Sequence, residues 1–99
     1  RRVLFRSEAI TKQILRLDPA NYTANLRLAY VSRLQKKFDA AEAILNGMLV
    51  LYPTDISLLT ELGLIKLAKD NRAEAKRLFN DVVILDPENV TAKAQLSKL

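Results

Sequence analysis

Leu17-Asp18-Pro19, Leu51-Tyr52-Pro53 and Leu85-Asp86-Pro87 decide how this chain is read. They hold all three prolines of the sequence, and the prolines stand 34 residues apart in both intervals. A fixed period of some tens of residues is the mark of a repeat architecture, in which stacked units share one core. Proline lacks the N–H that a helix needs and its ring blocks the preceding turn, so each phrase reads as the end of one unit.

Outward from the prolines, apolar residues recur at helical spacing. Residues 22–34 and 38–51 read as one pair of helices, and 56–68 and 72–85 as a second pair. Phe38, Ala41, Leu45 and Met48 fall on one stripe, and Leu78, Phe79, Val82, Val83 and Leu85 on another. Asn21 and Thr54 are expected to cap the first helix of each pair. Gly63 stands where two helices must approach. Gly47, mid-helix, reads as a small packing residue that costs about 1 kcal/mol relative to Ala. The first helices are apolar nearly all round: Tyr22, Leu26, Leu28, Ala29, Tyr30, Val31 and Leu34 in one, Ile56, Leu58, Leu59, Leu62, Leu64, Ile65 and Leu67 in the other. Such a helix needs cover on most of its sides.

This pattern resembles the tetratricopeptide repeat (TPR) family, whose repeat of 34 residues reads W-x-x-L-G-x-x-Y, then A-x-x-x-F, then P. Residues 54–87 match with Leu59, Leu62-Gly63, Lys66, Ala75, Phe79 and Pro87, and residues 20–53 with Asn25, Leu28-Ala29, Ser32, Ala41, Leu45 and Pro53. Residues 1–19 are a second half only, with Ser7, Thr11 and Pro19 in the later slots. Residues 88–99 resemble a first helix without its second. The chain departs from the family where Trp is common (Asn25, Leu59) and where Tyr is common (Ser32, Lys66). The resemblance implies one all-α TPR domain, a right-handed α-α superhelix of about two and a half repeats.

Both ends look incomplete. The stripe of the first helix, Val3, Ile10, Ile14 and Leu17 with Leu4 and Leu15, lacks one partner, and Val90, Ala92, Ala94, Leu96 and Leu99 form an apolar face at the other end. Terminal repeats need a polar outer face. The end helices are therefore expected either to cap the array or to pair with copies of the chain. No initiator Met is present, so the chain reads as a fragment, and Arg1 to Ser7 as including residues left by cloning.

Composition narrows the function. With no cysteine and no histidine, thiol chemistry, cysteine-type zinc sites and the commonest general acid or base are excluded. No Gly-rich phosphate loop and no metal-ligand cluster is visible, and no cofactor is implied. Asp39 with Glu42, and Glu74 with Asp81, are read as solvated or paired carboxylates rather than a catalytic couple. The reading is a binding module, not an enzyme. No apolar run reaches the roughly 18 residues a bilayer demands, so membrane insertion is not expected. The compartment stays open.

The resemblance places the ligand-facing positions of the first helices on Thr23, Leu26, Tyr30 and Arg33, then Ser57, Thr60, Leu64 and Leu67, then Thr91, Ala94 and Lys98. A peptide or helix of another protein is the expected occupant, with Tyr30 and Arg33 as anchors. One TPR subtype holds chaperone tails ending in EEVD with Lys, Asn and Arg; here those slots carry Leu26, Tyr30 and Glu61, which argues against that ligand. Basic residues gather at turns within repeats (Arg33, Lys36, Lys37; Lys66, Lys69, Arg72) and acidic ones between repeats (Asp18, Asp55, Asp86, Glu88). Helix-dipole complementarity explains this distribution better than a phosphate or nucleic-acid edge, since no aromatic residues interleave with the charges. A net charge of +5 is also modest for nucleic-acid binding. Ser97-Lys98-Leu99 would be a peroxisomal address at a true C-terminus, but reads as the end of an amphipathic helix.

Overall fold

Each Pro phrase closes into a turn that starts the next helix. The carbonyl of Asp18 accepts the N–H of Asn21 at 3.1 Å, that of Tyr52 the N–H of Asp55 at 3.2 Å, and that of Asp86 the N–H of Asn89 at 3.0 Å. Proline occupies the second position of all three turns, where its fixed φ suits a type I or II geometry. The residue that donates then caps the helix. Asn21 accepts from the N–H of Ala24 at 2.8 Å, Asp55 from that of Leu58 at 3.2 Å, and Asn89 from that of Ala92 at 2.9 Å. The cap of the 56–68 helix is therefore Asp55 and not Thr54. Asp55 is the register mate of Asn21, whereas Thr54 lies inside the turn, one residue too early for its oxygen to meet the orphan amides.

In this computed structural model the backbone is described for residues 2–99 and the side chains for residues 8–99. The expectations placed on Val3, Leu4 and Ser7, and on residues 1–7 as cloning remnants, lie outside the described side chains. Among the described residues the chain forms six helices: α1 (Arg2–Leu17), α2 (Tyr22–Leu34), α3 (Phe38–Leu51), α4 (Ile56–Ala68), α5 (Arg72–Leu85) and α6 (Val90–Lys98). The four central helices have the bounds read from sequence.

The turns inside each pair share a second device. Lys36 and Asp70, 34 residues apart, adopt left-handed backbone with φ of 63° and 60°. In the first, the N–H of Lys37 reaches the carbonyl of Ser32 at 2.8 Å and that of Lys36 the carbonyl of Arg33 at 3.0 Å. In the second, Asn71 and Asp70 donate in the same way to Lys66 and Leu67, at 2.8 and 2.9 Å. This is the Schellman closure, which satisfies carbonyls at a helix end and favours glycine at the left-handed site. Asn71 then caps α5 by accepting the N–H of Glu74 at 3.3 Å.

The chain divides into two compact units, one running to Met48 and the other from Leu49 to Leu99. In the first, α1 packs on α2. Its buried residues are Thr11 on α1, Ala24, Ala29, Val31 and Ser32 on α2, and Ala41, Leu45 and Met48 on α3. In the second, α5 packs on both α4 and α6. Leu58, Leu59, Leu62, Ile65, Ala75, Leu78, Phe79, Val82 and Ala92 form its core. Thr11, Leu45 and Phe79 share one register position and are 1%, 0% and 0% exposed, so the same slot is filled in three second helices by side chains of very different size. The stripes are narrower than read from sequence: Phe38 and Val83 are only half-buried and Leu85 is exposed.

The two glycines have opposite environments. A Cβ on Gly63 would stand 2.8 Å from the Cε1 and Cζ of Phe79, whose ring is fully buried and has nowhere to retreat. Gly47 would meet nothing within 4 Å, so it is not the packing residue that its mid-helix position implied.

Gly63→Ala is expected to lower the melting temperature despite the better helix former, because overpacking costs about 1–3 kcal/mol. Gly47→Ala is expected to raise stability by up to about 1 kcal/mol. Thermal unfolding followed by circular dichroism reads both. Asp55→Ala should cost about 1 kcal/mol in urea unfolding, whereas Thr54→Ala should change stability by no more than about 0.5 kcal/mol.

Candidate functional site

The sequence-derived binding positions lie on the first helices, and each unit is taken in turn. On α2, Thr23 and Tyr30 are exposed while Leu26 and Arg33 are half-buried. Ala24, Ala29, Val31 and Ser32 of the same helix are buried. The α2 face that carries the candidate residues is thus the one the core leaves out. Tyr30 is 45% exposed, and the Arg33 guanidinium lies over its ring at 5.2 Å from the centroid. One turn of helix brings a residue and its third successor to the same face, which is why this stack forms locally. An arginine over an aromatic face keeps its in-plane N–H groups directed outward, and the pair offers an apolar plate beside a cation.

In the second unit, Ser57 is exposed and Thr60, Leu64 and Leu67 are half-buried on α4. Leu58, Leu59, Leu62, Gly63 and Ile65 are buried on the same helix. On α6, Thr91, Ala94 and Lys98 are all exposed. None of the eleven candidates is among the buried residues, and Leu26, Leu64 and Leu67 are half-buried.

Four of the charges at the turns serve the fold. Asp18 and Asp86 accept from the Nδ2 of Asn21 and Asn89 at 3.2 and 3.4 Å. Asp55 caps α4, and Arg72 donates to the carbonyl of Lys98 at 3.2 Å, closing the end of α6. These contacts are what helix dipoles and orphan end groups ask for. Ser97 also turns inward on its own helix, its hydroxyl donating to the carbonyl of Ala94 at 2.7 Å. Glu74 and Asp81 both clasp Arg77, at 2.9 and 3.6 Å. The hydrogen-bonded Arg77 holds the Glu74 carboxyl below the usual range, and Glu74 in turn raises Arg77. A general acid needs a raised carboxyl, which Glu74 does not have.

Two features were not legible in the sequence. Glu8 on α1 accepts the Nε2 of Gln35 at 3.1 Å, with Lys12 at 3.4 Å. These residues, with Ala9 and Lys37, line an open hollow of about 440 Å³ in the first unit. The Gln35 bond, ahead of Lys12, holds the Glu8 carboxyl below its usual range. Twenty-seven residues separate Glu8 from Gln35, and no spacing rule connects them. The second is an apolar hollow beside Pro53 in the second unit, lined also by Ile84, Leu85 and Asp81. Among the described residues no group of three or more His, Cys, Asp or Glu could hold a metal, and no helix is long and apolar enough to cross a membrane.

The architecture has close counterparts among solved structures. The TPR domain of Arabidopsis OM64 matches with a TM-score of 0.88 over 98% of this chain and 80% of its own, at 18% identity. The first TPR of Spaghetti (RPAP3), bound to the HSP90 peptide SRMEEVD, matches with 0.83 over 92% and 72%, at 25% identity. The second TPR domain of human RPAP3, in complex with the HSP70 peptide SGPTIEEVD, matches with 0.81 over 96% and 79%, at 23% identity. No family model and no curated protein matches the chain. The fold is that of TPR domains, as the 34-residue period implied.

The separation of candidate face from core predicts unequal tolerance on one helix. Leu64→Glu should keep the helical circular dichroism spectrum and cost about 1 kcal/mol or less. Ile65→Glu, one residue on and 0% exposed, should unfold the chain or cost more than about 4 kcal/mol, since a buried unpaired carboxylate has no compensation.

Proposed function

We infer that the chain is a protein-interaction module that binds a peptide or helical segment of another protein along the inward positions of its first helices. Thr23, Leu26, Tyr30 and Arg33 serve this on α2. Ser57, Thr60, Leu64 and Leu67 serve it on α4, and Thr91, Ala94 and Lys98 on α6. The observation that carries the reading is the exposed Tyr30 plate with Arg33 above it, on the face of α2 that the core leaves out. An aromatic and an arginine at one point are the residue types that most often dominate binding energy. Leu26, Leu64 and Leu67 add apolar area at half-buried positions, where a partner removes the remaining water.

The fold is shared with domains bound to the HSP90 peptide SRMEEVD and the HSP70 peptide SGPTIEEVD. The ligand proposed here differs, because the positions that clamp an acidic tail in that subtype carry Leu26, Tyr30 and Glu61. Glu61 repels a terminal carboxylate, and neither Leu26 nor Tyr30 supplies the missing positive charge.

A second reading is supported by α1, where Ile10, Ile14 and Leu17 are 50%, 38% and 91% exposed. An apolar stripe of this kind would also suit pairing with a copy of the chain. Light scattering at rising concentration distinguishes that reading, since a peptide receptor has no reason to grow in mass.

A Tyr30→Glu, Leu64→Glu double variant, checked for helical content, is the test of the first reading. Used as bait beside the parent in lysate of the source organism, it should lose a protein that the parent retains. Retention of identical proteins by both baits would remove these residues from the binding surface. By calorimetry the parent should give no saturable heat with the peptide SRMEEVD up to about 1 mM, a concentration that exposes interactions as weak as about −4 kcal/mol.

A further inference from the structure

The last turn of α5 presents two apolar residues that the core does not take up. Ile84 is 76% exposed and Leu85 is 44% exposed. Between them and the turn at Pro53 lies an open hollow of about 210 Å³, lined by Pro53, Thr54, Leu59, Asp81, Ile84 and Leu85. Val50, one helical turn before Pro53, is 80% exposed and is the register mate of Ile84. The same outward position is thus apolar in two successive second helices.

Asp81 is the only charged residue among those that line this hollow. The chain as a whole carries +5. The ion-pair partner of Asp81, Arg77, is shared with Glu74. Arg77 is held by Glu74 through two hydrogen bonds of 3.4 and 2.9 Å and approaches Asp81 at 3.6 Å. With Arg77 committed to Glu74 by two hydrogen bonds and only approaching Asp81, the Asp81 carboxylate keeps acceptor capacity toward the hollow. An aliphatic pocket with an acidic wall fits an aliphatic side chain that has a basic neighbour, and disfavours an acidic segment.

We propose that this hollow docks a short segment of a partner protein in which a leucine or isoleucine is followed by arginine. The aliphatic chain enters between Pro53 and Ile84, and the guanidinium meets the Asp81 carboxylate. The site uses none of the candidate binding residues named above on α2, α4 and α6 and stands independently of the function inferred for them.

The test is a titration of the ¹⁵N-labelled chain with the blocked tetrapeptide Ala-Leu-Arg-Ala, followed by amide chemical shifts. Saturable shifts are expected at Thr54, Asp81, Ile84 and Leu85. The peptides Ala-Leu-Glu-Ala and Ala-Ala-Arg-Ala should bind about tenfold more weakly. Asp81→Asn and Ile84→Ser should each weaken Ala-Leu-Arg-Ala about tenfold, since each removes one of the two matched contacts. Both side chains are substantially exposed, and circular dichroism verifies that the variants fold. The proposal is overturned by equal binding of the glutamate peptide, by unchanged affinity of Ile84→Ser, or by the absence of saturable shifts up to about 20 mM peptide, beyond which binding is weaker than about −2.3 kcal/mol. Shifts at the same amides on concentrating the chain without peptide would assign the hollow to a second copy and overturn it equally.

Discussion

One hydrogen bond recurs at each boundary between repeats: the carbonyl of the residue before proline accepts the N–H of the residue two past it. Proline fixes the geometry of that turn, and the donating residue then caps the next helix with its side chain. Two jobs fall to one position, and it is filled by Asn21, Asp55 and Asn89. Because stop and start are coupled, a shift in either would move the next helix's whole apolar face by a residue. A one-residue shift turns a helical face by about 100°, enough to carry Leu58 and Leu62 out of the core.

The register that the turn sets explains why conspicuous side-chain variation is tolerated inside it. Thr11, Leu45 and Phe79 occupy one slot and are all buried. Only where the slot holds Phe79 does the facing helix carry a glycine in contact with it, Gly63. The large ring and the missing Cβ are complementary halves of one fit, and neither is intelligible alone. Where the fit is absent, as at Gly47, glycine contributes no close approach and retains only its cost in backbone freedom.

Much of this was legible in the sequence because proline and apolar spacing are local signals with one meaning each. The three phrases gave the period, and the stripes gave the helices between. The parts that were not legible depend on contacts that spacing does not encode. Thr54 and Asp55 are both good capping residues side by side, and only the turn's hydrogen bond chooses between them. Lys36 and Asp70 take left-handed backbone without the glycine that would have announced it. The Schellman bonds on either side hold them there, at a strain of about 1 kcal/mol or more for a residue with a Cβ. For the candidate site, the register supplied by family resemblance named positions that all lie outside the core. It could not supply the Arg33 stack on Tyr30, which depends on rotamers, or the hollow beside Pro53.

The surface follows from the same logic as the core. In a repeat fold each first helix must satisfy its own second helix before it can serve a ligand, so residues available for binding are those left over by packing. On α4 the core takes Leu58, Leu59, Leu62 and Ile65 and leaves Leu64 and Leu67 half-buried. On α2 it takes small side chains, Ala24, Ala29 and Ser32 with Val31, and leaves Tyr30, the largest side chain on the outer face. Small side chains thus fill this part of the core, and the aromatic ring stays at the surface. An aromatic ring kept 45% exposed forfeits hydrophobic stabilisation that burial would have supplied. On the function proposed above, Tyr30 completes its burial against a partner, with Arg33 already stacked to receive the partner's polar groups.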